Sequence, residues 1–370
     1  MKEMHSIGWY ASRVAPHLPK EAFKPAPVRL WGGLAYLLLT KAGIAAIWLF
    51  ALPLWANLLL SLVIGMSFAG MGFLGHEILH GTVVKNARLR DFLGAIAFWQ
   101  FSLGPKLWRK WHNMEHHANT QDHDHDPDAW ATMEELYTRP AMRWAYRLPR
   151  WVRTVANFSS FLLFFSIHGF LMFRRYAGEF KGADRTRVVL QLVVPYAFWF
   201  SLLPLMGPYK WLFAYLVPLM LANFMVICYI ATNHQLNPLT DVNDPLANSL
   251  SVTVPRWVDV LHFNFSYHTE HHLFPGMNPR WAPLVKAQVK RLWPELYHEM
   301  PFTTALRMLA ATPRVYGTQV DLVDPGAGLT YGTLGNGLDY RNVVARPIAL
   351  QQSGEESGVG LGMSPLQQGD

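Results

Sequence analysis

Long apolar stretches alternate along this chain with segments rich in Arg, His and Asp, and four of the stretches are long enough to cross a bilayer. They run from about Leu30 to Leu52, Leu54 to Gly75, Val188 to Met206 and Tyr209 to Ala231. Each approaches the ~20 apolar residues a helix needs to span a hydrocarbon core of ~30 Å. Pro53 separates the first pair and Gly207-Pro208 the second. Links this short predict two helical hairpins. Gly65, Ala69, Gly70, Gly72 and Gly75 give the second span small faces suited to close helix packing. Two further apolar segments stand apart. Phe92 to Gly104 is too short to span and is expected at the membrane surface. Val155 to Phe173 is uncharged and long enough to cross.

Charge sets the orientation. The first interspan turn carries no charge and the second only Lys210, whereas the outer flanks hold Lys85, Arg88, Arg90, Lys106, Arg109, Lys110, Arg143, Arg147, Arg150, Arg153, Arg174, Arg175, Lys181, Arg185 and Arg187. The positive-inside rule therefore places both termini and the long segments in the cytoplasm. Composition agrees with a membrane protein: 51% of residues are hydrophobic and only 15% charged, against roughly a quarter charged in soluble domains. A single cysteine, Cys228, excludes an internal disulfide. The first thirty residues carry Lys2, Arg13, Lys20, Lys24 and Arg29 without an apolar core, so no secretory signal is expected.

Three regions follow: a cytoplasmic segment 1–29, a membrane domain 30–305 and a tail 306–370. From about Val315 the tail is rich in Gly and Gln, with Asp321, Asp324, Asp339, Glu355, Glu356 and Asp370 but no lysine. It is expected to lack regular structure. The basic balance of the rest suits anionic lipid or an acidic electron carrier rather than nucleic acid.

Nine histidines then change the picture. They stand as His76 and His80, His112, His116 and His117, a lone His234, and His268, His271 and His272. Residues four apart share a helix face, and triples spaced 4+1 or 3+1 converge, which is how imidazoles are presented to a metal. Nine exceed what one ion of about four to six ligands takes, but suit two ions with open positions. All-nitrogen donors favour Zn, Cu, Fe or Ni over Mg or Ca. The helices carrying His76, His80 and His234 continue past the membrane, so these ligands are expected just above the cytoplasmic surface. Had Val155–Phe173 crossed as well, the second and third clusters would face opposite compartments. It is therefore expected to be interfacial or re-entrant. His5, His17, His123, His125, His168, His262 and His298 are read as structural, and the run His123-Asp124-His125-Asp126-Pro127-Asp128 as an acidic turn. A metal transporter should carry its ligands near the membrane midplane, within the spans; a zinc hydrolase would be separated by metal content.

Gly75-His76-Glu77-Ile78-Leu79-His80-Gly81, His112-Asn113-Met114-Glu115-His116-His117 with Asp126-Pro127-Asp128 behind it, and His268-Thr269-Glu270-His271-His272-Leu273-Phe274-Pro275 resemble the three histidine boxes of the integral-membrane fatty acid desaturase superfamily. The third box begins with His268 where front-end enzymes usually have Gln, and so looks more like that of methyl-end enzymes. The resemblance covers about residues 30–305. It implies an all-α integral membrane fold, four transmembrane helices as two hairpins with a cytoplasmic helical cap carrying the boxes. It further implies two irons on the nine histidines, O₂ as co-substrate, a lipid acyl chain as substrate, and two electrons from a ferredoxin or small cytochrome with its reductase. No flavin, haem, nicotinamide or iron–sulfur motif is present to supply them. Glu77, Asn113, Glu115, Asn264 and Glu270 are candidates to hold the second ring nitrogen of a ligand. A hydroxylase or ketolase acting on a carotenoid, sterol or alkane is the alternative within the superfamily.

Overall fold

A computed structural model describes residues 3–348; Glu355, Glu356 and Asp370 of the tail lie outside the described residues. The chain is mostly helical. Four helical stretches are long and apolar enough to cross a membrane: Pro27–Leu49, Leu54–Leu79, Arg150–Tyr176 and Gly182–His234. Six helices position the site: α1 (Leu30–Leu49), α2 (Leu54–Leu79), α3 (Ala87–Ala97), α4 (Arg150–Tyr176), α5 (Gly182–Trp211) and α6 (Val217–His234).

α1 and α2 run antiparallel, with Ile64 against Gly43, Tyr36 against Gly70 and Leu74 against Gly33. The Gly182–His234 stretch breaks at Gly207, whose φ of 79° leaves the helical region on the side open to glycine. The chain then folds back: Trp211 Nε1 donates to the carbonyl of Trp199 at 2.8 Å, and Trp199 stacks on Tyr215 with centroids 4.3 Å apart. In an unbroken helix residues 199 and 211 would stand about 18 Å apart.

α2 and α6 form the core, and they are parallel. Ser61 Oγ donates to Phe213 O at 2.6 Å, Gly65 sits against Leu221 and Pro218, and Phe73 packs edge-on to Tyr229. The registers advance together, so His76, His80 and His234 emerge at the same end. The small residues of α2 are shared among neighbours: Gly65 meets α6, Gly70 meets α1, and Gly72 and Gly75 meet Phe101 and Phe98.

That last contact belongs to residues 92–104, which run back along α2. Gly94 abuts Leu79, Phe98 abuts Gly75, and Gln100 Nε2 donates to Phe68 O at 3.1 Å. Phe68 is about 16 Å below Leu79 along the helix. Ser102, at φ 53° and ψ 41°, turns the chain back toward the second histidine cluster. Buried turns need their backbone groups satisfied, and here Tyr215 Oη donates to Gln100 O at 3.3 Å. The glycines of α2 supply the room.

α4 meets the length and apolarity of a span, yet both its ends reach residues of the histidine-bearing half. Arg153 pairs with Asp324 at 2.5 Å and, beyond the other end, Glu179 pairs with Lys110 at 2.9 Å. Between them Ser166 N donates to Asn223 Oδ1 of α6 at 2.8 Å.

Short strands accompany the helices. β1 (Ser251–Thr253) pairs in parallel with β2 (Glu299–Pro301). β3 (Asp321–Asp324), β4 (Leu329–Gly332) and β5 (Arg346–Pro347) form an antiparallel sheet. The tail up to Ile348 thus carries short strands. Tyr316, Leu322 and Tyr331 are buried in it, and Tyr316 Oη donates to Asn237 O at 2.7 Å.

Candidate metal centre

Each histidine cluster is placed by a different local device. His76 lies in the last turn of α2 and His80 caps it. The second cluster is not α-helical: Arg109–His116 is a π-helical turn, closed by His117 N donating to His112 O at 3.0 Å. The wider turn brings residues five apart onto one line, so the 4+1 triple converges more fully than α-helical spacing predicts. His234 ends α6. The third cluster rides on α7 (His268–Leu273).

All nine predicted ligands come together, in two groups. Ring nitrogens of His76, His80, His112, His117 and His271 lie within 4.8 Å of one another. Those of His116, His234 and His272 form a second set under the same limit. His268 Nε2 joins this set, 2.7 Å from His234 Nε2 and 3.0 Å from His272 Nε2. The groups adjoin, the His117 and His272 rings stacking at 4.4 Å. His117 Nε2 is also 3.1 Å from both His112 Nε2 and His271 Nε2.

The donor set fits metal ions. His234 Nδ1 donates to Asn248 O at 3.0 Å, which leaves its Nε2 as a lone pair. His272 Nδ1 lies 3.2 Å from Thr120 Oγ1, whose own hydroxyl donates to His116 O, so His272 Nε2 is a lone pair too. Lone pairs turned toward one another repel unless a cation sits between them. Nitrogens held ~2.0–2.1 Å from one ion stand about 2.9–3.4 Å apart, close to the separations observed. His76 Nε2 and His80 Nε2 are buried with no hydrogen-bond partner among the described residues.

Electrostatics separates His116 from the rest. Burial, and then neighbouring imidazoles, push His112, His117, His268, His271 and His272 well below the ordinary histidine range. They are neutral, as ligands must be. Burial would lower His116 too, but the carboxylates of Asp126 and Asp128 outweigh it and raise it to about 9, so a metal taking its Nε2 would displace a proton there. Its Nδ1 is 2.9 Å from Asp126 Oδ1, an arrangement that orients a ligand ring and makes its other nitrogen more basic.

Asp126, Asp128 and His168 are the residues the sequence reading missed. The segment 122–128 is indeed an acidic turn, with Asp122 Oδ1 accepting from the backbone of Asp124 and His125, and His123 and His125 remain outside. Asp126 and Asp128, however, point inward. Asp128 Oδ1 accepts from Trp111 Nε1 at 2.8 Å and lies 2.7 Å from His168 Nε2. Its signal was the Asp-Pro-Asp just behind the second box; for His168, on an apolar helix, there was none. Of the five suggested outer partners only Glu77 touches a ligand, 3.3 Å from His76 Nδ1. Glu115 pairs with Lys110, Asn264 accepts from Arg29, Asn113 donates to Leu79 O and Glu270 accepts from Ser251 and Tyr297.

An apolar slot leads to the centre from within the helical bundle. Gly72, Phe73, Phe98, Trp108, Trp111, Phe165, Val226, Ile230 and Phe265 line it, and His76, His112, His116, His234, His268 and the carboxylate of Asp128 close its upper end. The basic flank is less free than its composition suggests: Lys106 pairs with Asp184, Arg109 with Asp91 and Lys110 with Glu115.

A membrane protein with an apolar slot ending at two all-histidine clusters has the makings of a metalloenzyme acting on lipid. The chain belongs to the fatty acid desaturase family, whose model matches residues 53–304, and it is an oxidoreductase of fatty acid metabolism. It is 26% identical to the sn-1 oleoyl-lipid 12-desaturase of Synechocystis sp., across 86% of this chain and 90% of that one. An acyl-lipid (7-3)-desaturase of Rebecca salina is 28% identical, across 82% of this chain and 72% of the relative. The chloroplastic omega-6 fatty acid desaturase of Brassica napus is 24% identical, across 70% and 59%.

Proposed function

We propose that this chain desaturates an acyl chain carried on a membrane lipid, with two irons held by its nine histidines. His76, His80, His112, His117 and His271 would hold one iron, and His116, His234, His268 and His272 the other. Iron, when bound, supplies the redox chemistry with O₂ that removing hydrogen from an unactivated methylene requires. The reaction consumes O₂, two electrons and two protons, turns a CH₂–CH₂ pair into CH=CH, and releases two waters. The chain's own residues orient and exclude. Phe73, Phe98, Phe165 and Ile230 hold the substrate extended and keep water away, while Asp126 fixes the His116 ring. The electrons come from a separate carrier, a ferredoxin or small cytochrome with its reductase.

The topology we propose has α1 and α2 as one membrane-spanning hairpin and α5 and α6 as the other. The metal centre, the cap around it and both termini lie on the cytoplasmic side, and α4 lies at the interface. The contacts of both α4 ends with cap residues support this, as does the parallel course of α2 and α6. Acyl-lipid substrates are favoured by the names of the relatives.

The observation that carries the reading is the meeting of nine imidazoles, in two adjoining groups, at the end of an apolar slot. Lipid profiling of a host expressing the chain tests it. Products should lose two hydrogens, and His112→Ala or His271→Ala should abolish them while the protein still inserts. A gain of one oxygen would make the enzyme a hydroxylase instead.

A further inference from the structure

A second, larger opening shares no lining residue with the slot. It is a groove of about 420 Å³ between α5 and the segment that runs back along α2. On α5 its lining recurs at helical spacing, with Ala183, Arg187, Leu190 and Val194 on one face. Trp99, Leu103 and Gly104 belong to the facing wall. From Ala183 to Pro195 the groove is about 18 Å long, against ~15 Å for half of a hydrocarbon core of ~30 Å.

The groove is polar at one end only. Thr186 and the exposed Arg187 stand near the start of α5. Asp184, the acid beside them, is paired with Lys106 at 2.5 Å, so it does not neutralise Arg187. One turn further along, Gln191 Oε1 is buried without a hydrogen-bond partner among the described residues, an acceptor that a hydroxyl or N–H of an occupant would satisfy. Beyond it the walls are apolar, with Leu190 and Val194 half exposed. A cation at one end and an apolar channel one leaflet deep match a phosphate above and an acyl chain below.

Resting on the topology proposed above, which puts the start of α5 at the cytoplasmic surface, we propose that this groove binds one anionic glycerophospholipid of the cytoplasmic leaflet. Its phosphate meets Arg187 and the Thr186 hydroxyl, and one acyl chain lies between Trp99 and Leu190. No histidine lines the groove, so this lipid is a support and not the chain being desaturated. It braces the wall of the slot, because Trp99 faces the groove while the adjacent Phe98 lines the slot.

The test is lipid binding to the full chain, purified in detergent and stripped of lipid, read by native mass spectrometry and by thermal unfolding. Wild type is expected to bind one phosphatidylglycerol, which offers both a net charge and hydroxyl donors, and to unfold at a higher temperature with it than with phosphatidylcholine of the same acyl chains. Arg187→Gln should weaken phosphatidylglycerol binding about tenfold or more and bring it level with phosphatidylcholine. Leu190→Trp, which fills the groove from its exposed side, should remove bound lipid of either kind. Inorganic phosphate alone should leave the unfolding temperature unchanged. Equal binding of the two lipids by wild type, or undiminished phosphatidylglycerol binding in both variants, would overturn the proposal. So would a response to inorganic phosphate equal to that of the lipid, which would mark a site for free phosphate. These readouts are of binding and do not depend on desaturation, and an external signal from a tag at Lys181 would refute the topology instead.

Discussion

Replacing Asp126 by Asn removes one charge and almost no volume, which makes it a clean probe of how the metal centre is supported. Asp126 is buried and uses both oxygens. Oδ1 faces His116 Nδ1 at 2.9 Å and accepts from Asp128 N at 2.9 Å, while Oδ2 accepts from Gln121 N at 2.8 Å. An amide has one acceptor oxygen. If it serves His116, the NH₂ opposes the Gln121 N–H; if it serves Gln121, the NH₂ opposes the His116 ring. One hydrogen bond to a charged group is lost either way, roughly 1.5–3 kcal/mol. Loss of an outer partner of a ligating histidine typically lowers metal affinity or activity about 10–100-fold, or ~1.4–2.7 kcal/mol. The two magnitudes agree. Asp126→Asn should therefore retain the fold but lose about 10–100-fold in desaturation, with iron content falling first in the His116 group. Asp122→Asn, on the exposed side of the same turn, should behave as wild type. Metal analysis and lipid profiling of the two purified variants decide the matter. Full iron and full activity in Asp126→Asn would refute the reasoning.

Four further outcomes follow from the fold. Truncation after Arg314 removes Tyr316, Leu322 and Tyr331, all buried, and should prevent stable accumulation; Tyr316→Phe alone should lower stability by about 1–3 kcal/mol, because Asn237 O and Gln121 lose a partner, measured by thermal unfolding in detergent. Ser102→Gly should raise stability by about 1 kcal/mol by relieving the left-handed backbone at φ 53°, and a lower unfolding temperature would contradict that account. Tags at both termini, between Arg143 and Arg153, and at Lys181 should be accessible from one side only, the cytoplasm. An external signal at Lys181 would mean that α4 crosses the membrane.

The parts of this molecule that were legible in its sequence are those governed by strong local rules. Unbroken apolar runs announced α1, α2, α5 and α6, and Gly207-Pro208 announced the reversal, because only a backbone break lets a helix fold back so tightly. The meeting of the nine histidines was legible because few patterns place so many imidazoles at such spacings between apolar spans. What escaped notice depends on contacts distant in sequence. The course of residues 92–104 is set by the room that Gly72 and Gly75 leave on α2, not by its own hydrophobicity. The π turn of the second cluster leaves no mark in the sequence, because the same histidine spacing reads equally as an α-helix. His168 reads as one polar residue on an apolar helix until Asp128 is seen beside it. The short strands of the tail owe their order to Tyr316 and Leu322 docking on loops encoded far upstream.

The central claim is that the histidines form two metal sites and not one. The most direct measurement is the iron content of purified protein, wild type beside His80→Ala and His268→Ala, read by metal analysis with spectroscopy of the iron. The account predicts two irons per chain in wild type, with a different iron weakened by each substitution and desaturation lost in both variants. One iron per chain, zinc in place of iron, or identical spectral changes from the two substitutions would contradict it.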